Sequence, residues 1–547
     1  MKKRLWFLLP ILFAVFVFAW VYWQYPARVE MAGYIPAETL IYLEVNDLPG
    51  ALRDFTATDA WRELAPQFGV RQDFGDFGWL SRFLAAANLG STETIVFGRS
   101  QIAVALMNVE AAASEEETLK IKPSYAVVIE TKSFQSNAER FVEKQIGDFA
   151  SRQFGEASRE KLIRENQNWT IFRSTKDDRK LFAAVAGGTI IFGNDETAIK
   201  LCFDAKNELR PSLAQSPRLA EMRANTEASK ALAFGFATNE AVKKLSNIGA
   251  VLFAGQIADE PAAMSLIAQS LPPMIEKTVT GTAWSARLTN GKIEDRYFIA
   301  VPPDLASRLR EPLAASNKAA INSADFLPAD AHSISIYNLK DAGAAWRGMI
   351  LAISSRLDTL GAAAFAQVAG KLLEPYGVRQ PNDFLSAAAD ELTTARLSEK
   401  EKETVAIVKI GDANRMLAAI EPTTKENNRA ATFTNGTLLL GENQDVAKCL
   451  AVQESSLART NFWQDFTASK ISANTPFVRT LTRDSQSPTS FIRIFADEKF
   501  KQAAPDFSKN PSLTISIAET SLKENGFERR ALSPFGLIGT LAANFAQ

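Results

Sequence analysis

GGTIIFGNDETAIKLC runs from Gly187 to Cys202, and NGTLLLGENQDVAKCL runs from Asn435 to Leu450. A chain that writes one phrase twice must fold the same local unit twice. In the first occurrence the apolar runs 182–185 and 189–192 flank Gly187-Gly188, and in the second Asn435-Gly436 takes that place. Gly-Gly and Asn-Gly supply the positive φ angles of a type I′ hairpin turn. Gly193 or Gly441 then ends the strand, and Asp195 or Asn443 is placed to cap a helix over 196–203 or 444–452 by accepting an orphan backbone N–H. The phrase therefore reads as hairpin, stop, cap, helix.

Other matches follow in the same order. YIPAE (34–38) returns as FLPAD (326–330), FGVRQ (68–72) as YGVRQ (376–380), AVVI (126–129) as VAIV (405–408), and SLA (212–214) as SLA (456–458). AFGFA (233–237) is matched with FIRIF (491–495), and Asn290-Gly291 with Asn525-Gly526, each between two strand-like runs. Collinearity points to tandem duplication with a shorter second copy, which has no counterpart as long as residues 247–274. One pair resists. IYLEV (41–45) and SISIY (333–337) align on proline and asparagine, yet their apolar residues alternate out of phase. A one-residue slip turns a strand over, so either a bulge intervenes or the alignment is off by one.

Hairpins mixed with helices, without strict βαβ alternation, favour α+β architecture. The expected organisation is two tandem related α+β domains with antiparallel sheets and packed helices, behind one N-terminal transmembrane helix. Residues 30–303 form the first domain, 304–324 a linker, and 325–547 the second, shorter one. Residues 346–373 read as a helix, 111–122 as a solvated acidic loop, and 534–547 as a docking helix or strand.

The run from Leu5 to Trp23 (LWFLLPILFAVFVFAWVYW) carries no charge. As a helix it spans about 28 Å, close to the hydrocarbon thickness of a bilayer. Lys2, Lys3 and Arg4 precede it in the short segment 1–4, and Trp20, Tyr22, Trp23 and Tyr25 gather at its far end. Positive charge keeps the N-terminus cytoplasmic, and aromatic residues favour the interface. A cleaved signal peptide has a shorter apolar region and a small-x-small site. The segment therefore reads as an uncleaved signal anchor of the inner membrane, with the bulk of the chain periplasmic or extracellular.

A net charge of −1 offers no basic excess to neutralise phosphates, so nucleic acid is not an expected partner. The chain has two cysteines and one histidine. Zinc sites draw three or four ligands mainly from these types, and most general-base chemistry uses histidine. No metal, cofactor or catalytic residue is assigned. His332 reads as structural, and Cys202 and Cys449 as small buried apolar residues. Gly187 to Gly193 lacks the lysine of a phosphate loop. Asn168 and Asn435 match a glycosylation tripeptide that is common by chance. The carboxylates with any claim to a cleft are Glu44 with Asp47, and the triplet Glu294-Asp295-Arg296.

The apolar anchor, the Pro-Ala-Glu-Thr and Pro-Ala-Asp openings (36–39 and 328–330), the hairpin-plus-helix phrase and Ser-Pro-Phe-Gly (533–536) together resemble a family of uncharacterised bacterial envelope proteins, a domain of unknown function. Ala331 stands where the first copy has Thr39. The resemblance implies an exported, membrane-tethered protein and offers no catalytic residues. The expected function is non-catalytic binding or scaffolding of an envelope partner, whether protein, lipid or glycan. The alternative is an exported hydrolase using carboxylate or Ser/Lys chemistry in an interdomain cleft.

Overall fold

The computed structural model describes residues 28–70, 100–113, 119–257, 261–316, 323–399, 404–420, 428–452, 455–472, 474–496, 498–500, 502–507 and 510–546. The expected segments 1–4 and 5–23 lie outside them. Among the described residues no helix is long and apolar enough to cross a membrane.

Among the described residues eighteen strands join through antiparallel pairings into one mixed α+β assembly. The first ten are β1 Ile41–Val45, β2 Gln101–Ala113, β3 Leu119–Glu130, β4 Ala157–Arg164, β5 Gln167–Ser174, β6 Lys180–Ala186, β7 Thr189–Gly193, β8 Ala233–Ala237, β9 Gly281–Thr289 and β10 Lys292–Ala300. The remaining eight are β11 Ser333–Tyr337, β12 Ala388–Arg396, β13 Thr404–Ile410, β14 Arg429–Thr434, β15 Thr437–Glu442, β16 Val478–Arg483, β17 Ile515–Lys523 and β18 Gly526–Ser533. The pairings place the first ten side by side as β4-β5-β6-β7-β3-β2-β1-β8-β9-β10. The last eight follow as β18-β17-β16-β11-β12-β13-β15-β14. A ladder between β10 and β18 makes the two series continuous.

The repeated phrase folds as hairpin and helix in both places: β6–β7 leads into Glu196–Lys206, and β14–β15 into Asn443–Ala451. Asn435 and Gly436 both have positive φ, as a type I′ turn requires, whereas of Gly187-Gly188 only Gly187 does, the pattern of a type II′ turn. Asp195 caps its helix through Thr197 N at 2.8 Å. Asn443 is not a cap: it is the first helical residue, and Glu442 holds the cap position without a side-chain bond.

The out-of-phase strands need neither bulge nor shift. Tyr42 and Glu44 are the buried residues of β1, and Ile334 and Ile336 those of β11. Leu43, which apolar alternation would place inside, is exposed. The faces agree because β1 buries a carboxylate. Other expectations change. FIRIF is not a strand but mostly the helix Gln486–Arg493; β16 pairs with β11 and β17 as β8 pairs with β1 and β9. Five residues are too few to separate helical from strand periodicity. The two-residue loop between β17 and β18 is Glu524-Asn525, because Lys523 pairs with Gly526. Of the segment 111–122, the described residues 111–113 and 119–122 are ladder, with Ala111 opposite Ile121. Residues 346–373 divide into the helices Ala342–Ser354 and Thr359–Lys371, the second capped by Asp358. Residues 304–310 belong to the helix Pro303–Arg310, which buries Leu305 and Leu309, and 311–316 follow it as a turn with a bridge from Ala315 to Leu339.

One face of the first series buries Tyr42, Val128, Trp169, Ile191 and Phe298 against Ile199, Phe203 and Leu219 of covering helices. The matching face of the second buries Ile334, Val405, Ile407 and Leu439 against Val446, Trp463 and Phe466. The opposite faces pack Phe172, Val185 and Ile190 under Phe141 and Ile146, and Val408, Leu438 and Leu440 under Phe384 and Met416. A further cluster mixes the series: the Trp61 ring lies 6.5 Å from Phe491 and 5.3 Å from Phe495. Burying each such ring contributes roughly 1.5–3 kcal/mol, so side chains as well as backbone hold the β10–β18 seam.

Candidate functional site

Successive residues of a strand point to opposite faces. Glu294, Asp295 and Arg296, adjacent in sequence, therefore cannot act together. Glu294 and Arg296 share one face of β10, and Asp295 lies on the other.

On the first face, Arg287 of β9 holds Glu294 in a fork, with contacts of 2.8 and 3.0 Å. Arg296 lies 3.4 Å from Glu294 and 2.5 Å from Glu227. Across the seam, Arg530 reaches Glu528 at 3.0 Å and Lys523 reaches it at 2.8 Å. Further along, Arg479 meets Glu519 at 3.2 Å, and Glu519 also accepts the Ile471 and Ser472 backbone N–H groups. Glu294, Arg296, Glu519 and Glu528 are all buried. An uncompensated charge at such a place costs several kcal/mol. Pairing within the network lets it persist, and it leaves these carboxylates committed to arginine and lysine.

On the second face, Asp295 is 2 % exposed. One of its oxygens accepts the Trp284 indole N–H at 2.8 Å, and the other accepts Leu537 N at 2.9 Å in the first turn of the helix Gly536–Ala546. Burial pushes its carboxyl up to about 6, against these two bonds, which favour the charged form. Burial also raises the Tyr297 phenol, and the Asp295 charge adds to that. Asp295 lines a recess of about 190 Å³ with Tyr297, Asp484, Ser487, Ser533 and Thr540. A carboxyl that titrates near 6 is suited to proton transfer at neutral pH. Here the same carboxyl also anchors a helix from a distant strand.

Glu44 and Asp47 do not converge. Glu44 faces the core, where Arg223 holds both oxygens at 2.8 and 2.9 Å and the Tyr42 hydroxyl donates at 2.7 Å. Arg223 also binds Glu30, whose carboxyl is disfavoured by burial but is held below its ordinary range by that bond. Asp47 instead caps a helix through Gly50 N and pairs with Arg28. His332 is spent in backbone pairing with Arg396 and Arg483. Cys202 and Cys449 are free and lie in separate cores; burial pushes both thiols up, Cys449 to about 12. Asn168 lies in β5 and donates to Glu139, and Asn435 is a turn residue. Among the described residues no group of three or more His, Cys, Asp or Glu is placed to hold a metal ion.

Sequence reasoning missed Arg223, Glu528, Arg530 and Asp484. Their partners lie far along the chain, and the one local signal, a charged residue within an apolar alternation, does not name a partner. Set against family models, curated proteins and solved structures, the chain matches none.

Proposed function

We propose that the chain is a single-pass protein anchored through Leu5 to Trp23, and that its exported part is a non-catalytic platform built from two copies of one α+β unit. The observation that carries the non-catalytic reading is the fate of the carboxylates. Glu44, Glu294, Glu519 and Glu528 are buried, and each is engaged by an arginine or lysine that is itself partly exposed. Support for two copies comes from topology. β2, β1, β8, β9 and β10 are ordered as β12, β11, β16, β17 and β18. The bridges Pro36–Ser212 and Pro328–Ser456 recur at matching positions. The segments after Phe68 and Tyr376 both turn through a left-handed glycine, Gly69 and Gly377.

A rigid sheet tethered near a membrane suits holding an envelope partner, and protein is the class favoured by the open sheet edge described below. The resemblance to bacterial envelope proteins agrees with this placement. The test is crosslinking of the full-length protein in its native membranes, with turnover of envelope polymers assayed on the purified exported part. A reproducible crosslinked partner and no turnover support the platform. Turnover abolished by Asp295→Asn would favour the rival, a hydrolase working in the recess that Asp295 shares with Asp484.

A further inference from the structure

The hairpins β6–β7 and β14–β15 pair in the same register, each joins an earlier strand, β3 or β13, through its second strand, and each leads into a helix. They differ in what lies beyond them. β6 is covered along its outer edge by β5, antiparallel, with Trp169 opposite Ala184 and Phe172 opposite Leu181. Among the described residues β14 pairs with β15 alone. Burial follows this difference. Val185 is 2 % exposed, whereas Phe433, at the matching position, is 39 % exposed. Ala183 and Ala184 are buried, and Ala431 and Thr432 are half-exposed.

This outer edge of β14, unpaired among the described residues, has a defined hydrogen-bonding face. Asn443 N donates to Asn428 O at 3.0 Å, so the bonded pairs of this hairpin alternate from there through Ala430–Gly441 and Thr432–Leu439. The N–H and C=O groups of Ala431 and Phe433 then point away from β15, and an edge of this kind is a template for another strand.

We propose that the outer edge of β14 is a docking site for an extended segment of a partner polypeptide, which pairs antiparallel with it as β5 pairs with β6. This inference rests on reading the halves as copies. The occupant it names has the chemistry of β5: alternating side chains, with an apolar residue laid beside Phe433 and Ala431 on the face of Leu438 and Leu440. Strand addition draws affinity from main-chain bonds and specificity from such alternate side chains.

The probe is a synthetic peptide of residues 165–175 (ENQNWTIFRST), with a scrambled version as control, added to the full-length protein in detergent. The expected result is saturable binding with amide exchange at Ala431 and Phe433 slowed at least about tenfold. Ala431→Pro removes an outward N–H, a change tolerated on edge strands; it is expected to keep the wild-type melting temperature and abolish binding. Should that variant melt early, Phe433→Lys serves in its place. Absence of binding, protection confined to β6, or amides at 431 and 433 already protected without peptide would overturn the proposal. So would a dimer of the protein that Ala431→Pro dissolves, since the occupant would then be a second copy. Failure of the two-copy reading would show separately, as an experimental structure in which residues 30–303 do not superpose on 325–547.

Discussion

Arg296 and Arg530 are direct partners across the β10–β18 ladder. Like charges in that relation repel. The seam tolerates them because Glu294 and Glu528, each two residues back along its own strand, lie on the same face and bind them. Counting from the two hairpin loops, Glu294 matches Glu528 and Arg296 matches Arg530, so the arginine pair sits where a local twofold would cross the sheet. Glu528→Gln is therefore expected to cost about 3–5 kcal/mol, the penalty for leaving buried charge without its partner. Denaturant unfolding of the variant against the wild type measures it, and a loss below about 1 kcal/mol would mean that the network is solvated.

Strand β11, which buries the same alternate positions as β1, suggests how the Glu44 pair can be replaced. Ile336 occupies the place of Glu44 in an apolar core. Arg223→Thr alone is expected to lose about 3–5 kcal/mol, because Glu44 stays buried. Adding Glu44→Ile removes the stranded charge and should recover most of that loss. A double-mutant cycle checks this, and additive losses would exclude the coupling.

The same pair marks where the fold could be read and where it could not. The hairpin, its glycine turn and the following helix are local chemistry, legible within one phrase. The strand IYLEV was misread because Glu44 faces inward, and what permits that is Arg223, 179 residues away. Alternation records which side is apolar, not which charge has found a partner. The seam was illegible for a related reason: Asp295 and its helical partner Leu537 are 242 residues apart, and nothing around either residue names the other.

Asp295 supplies a pH dependence with a definite sign. Its folded pKa of about 6 lies above the ordinary value of 3.8, so the folded state holds the proton more tightly than the unfolded chain. The resulting stabilisation is full below about pH 4 and is lost as pH rises through about 6. The difference of about two units corresponds to roughly 3 kcal/mol. Asp295→Asn cannot titrate, so its melting temperature should gain on the wild type between pH 4 and 7. A constant difference across that range would mean that Asp295 does not titrate there.

The thiols offer a test of the separate cores. Cys202 and Cys449 are buried in different clusters with raised pKa values, and it is the thiolate that reacts. A colorimetric disulfide reagent should find no fast thiol in the native protein and both after denaturation without reductant. Only one group of thiols is compatible with this: free and slow. A pair that appears only after reduction would require the two cores to lie in contact.

The most exacting position on the seam is Gly526. It faces Ala300 across the ladder, and a Cβ built there would stand 2.3 Å from the Ile299 carbonyl oxygen and 2.7 Å from the Phe298 ring. The backbone oxygen cannot move without breaking the ladder, so the strain cannot be relieved by a rotamer change. Gly526→Ala is expected to destabilise by about 1–3 kcal/mol, the usual cost of overpacking. It should also weaken the joint between the halves more than either half. Hydrogen exchange would then show faster opening of β10 and β18 amides, with β3 and β13 unchanged. A variant as stable as the wild type would mean that the strands do not approach this closely, and would undo the β10–β18 seam described above.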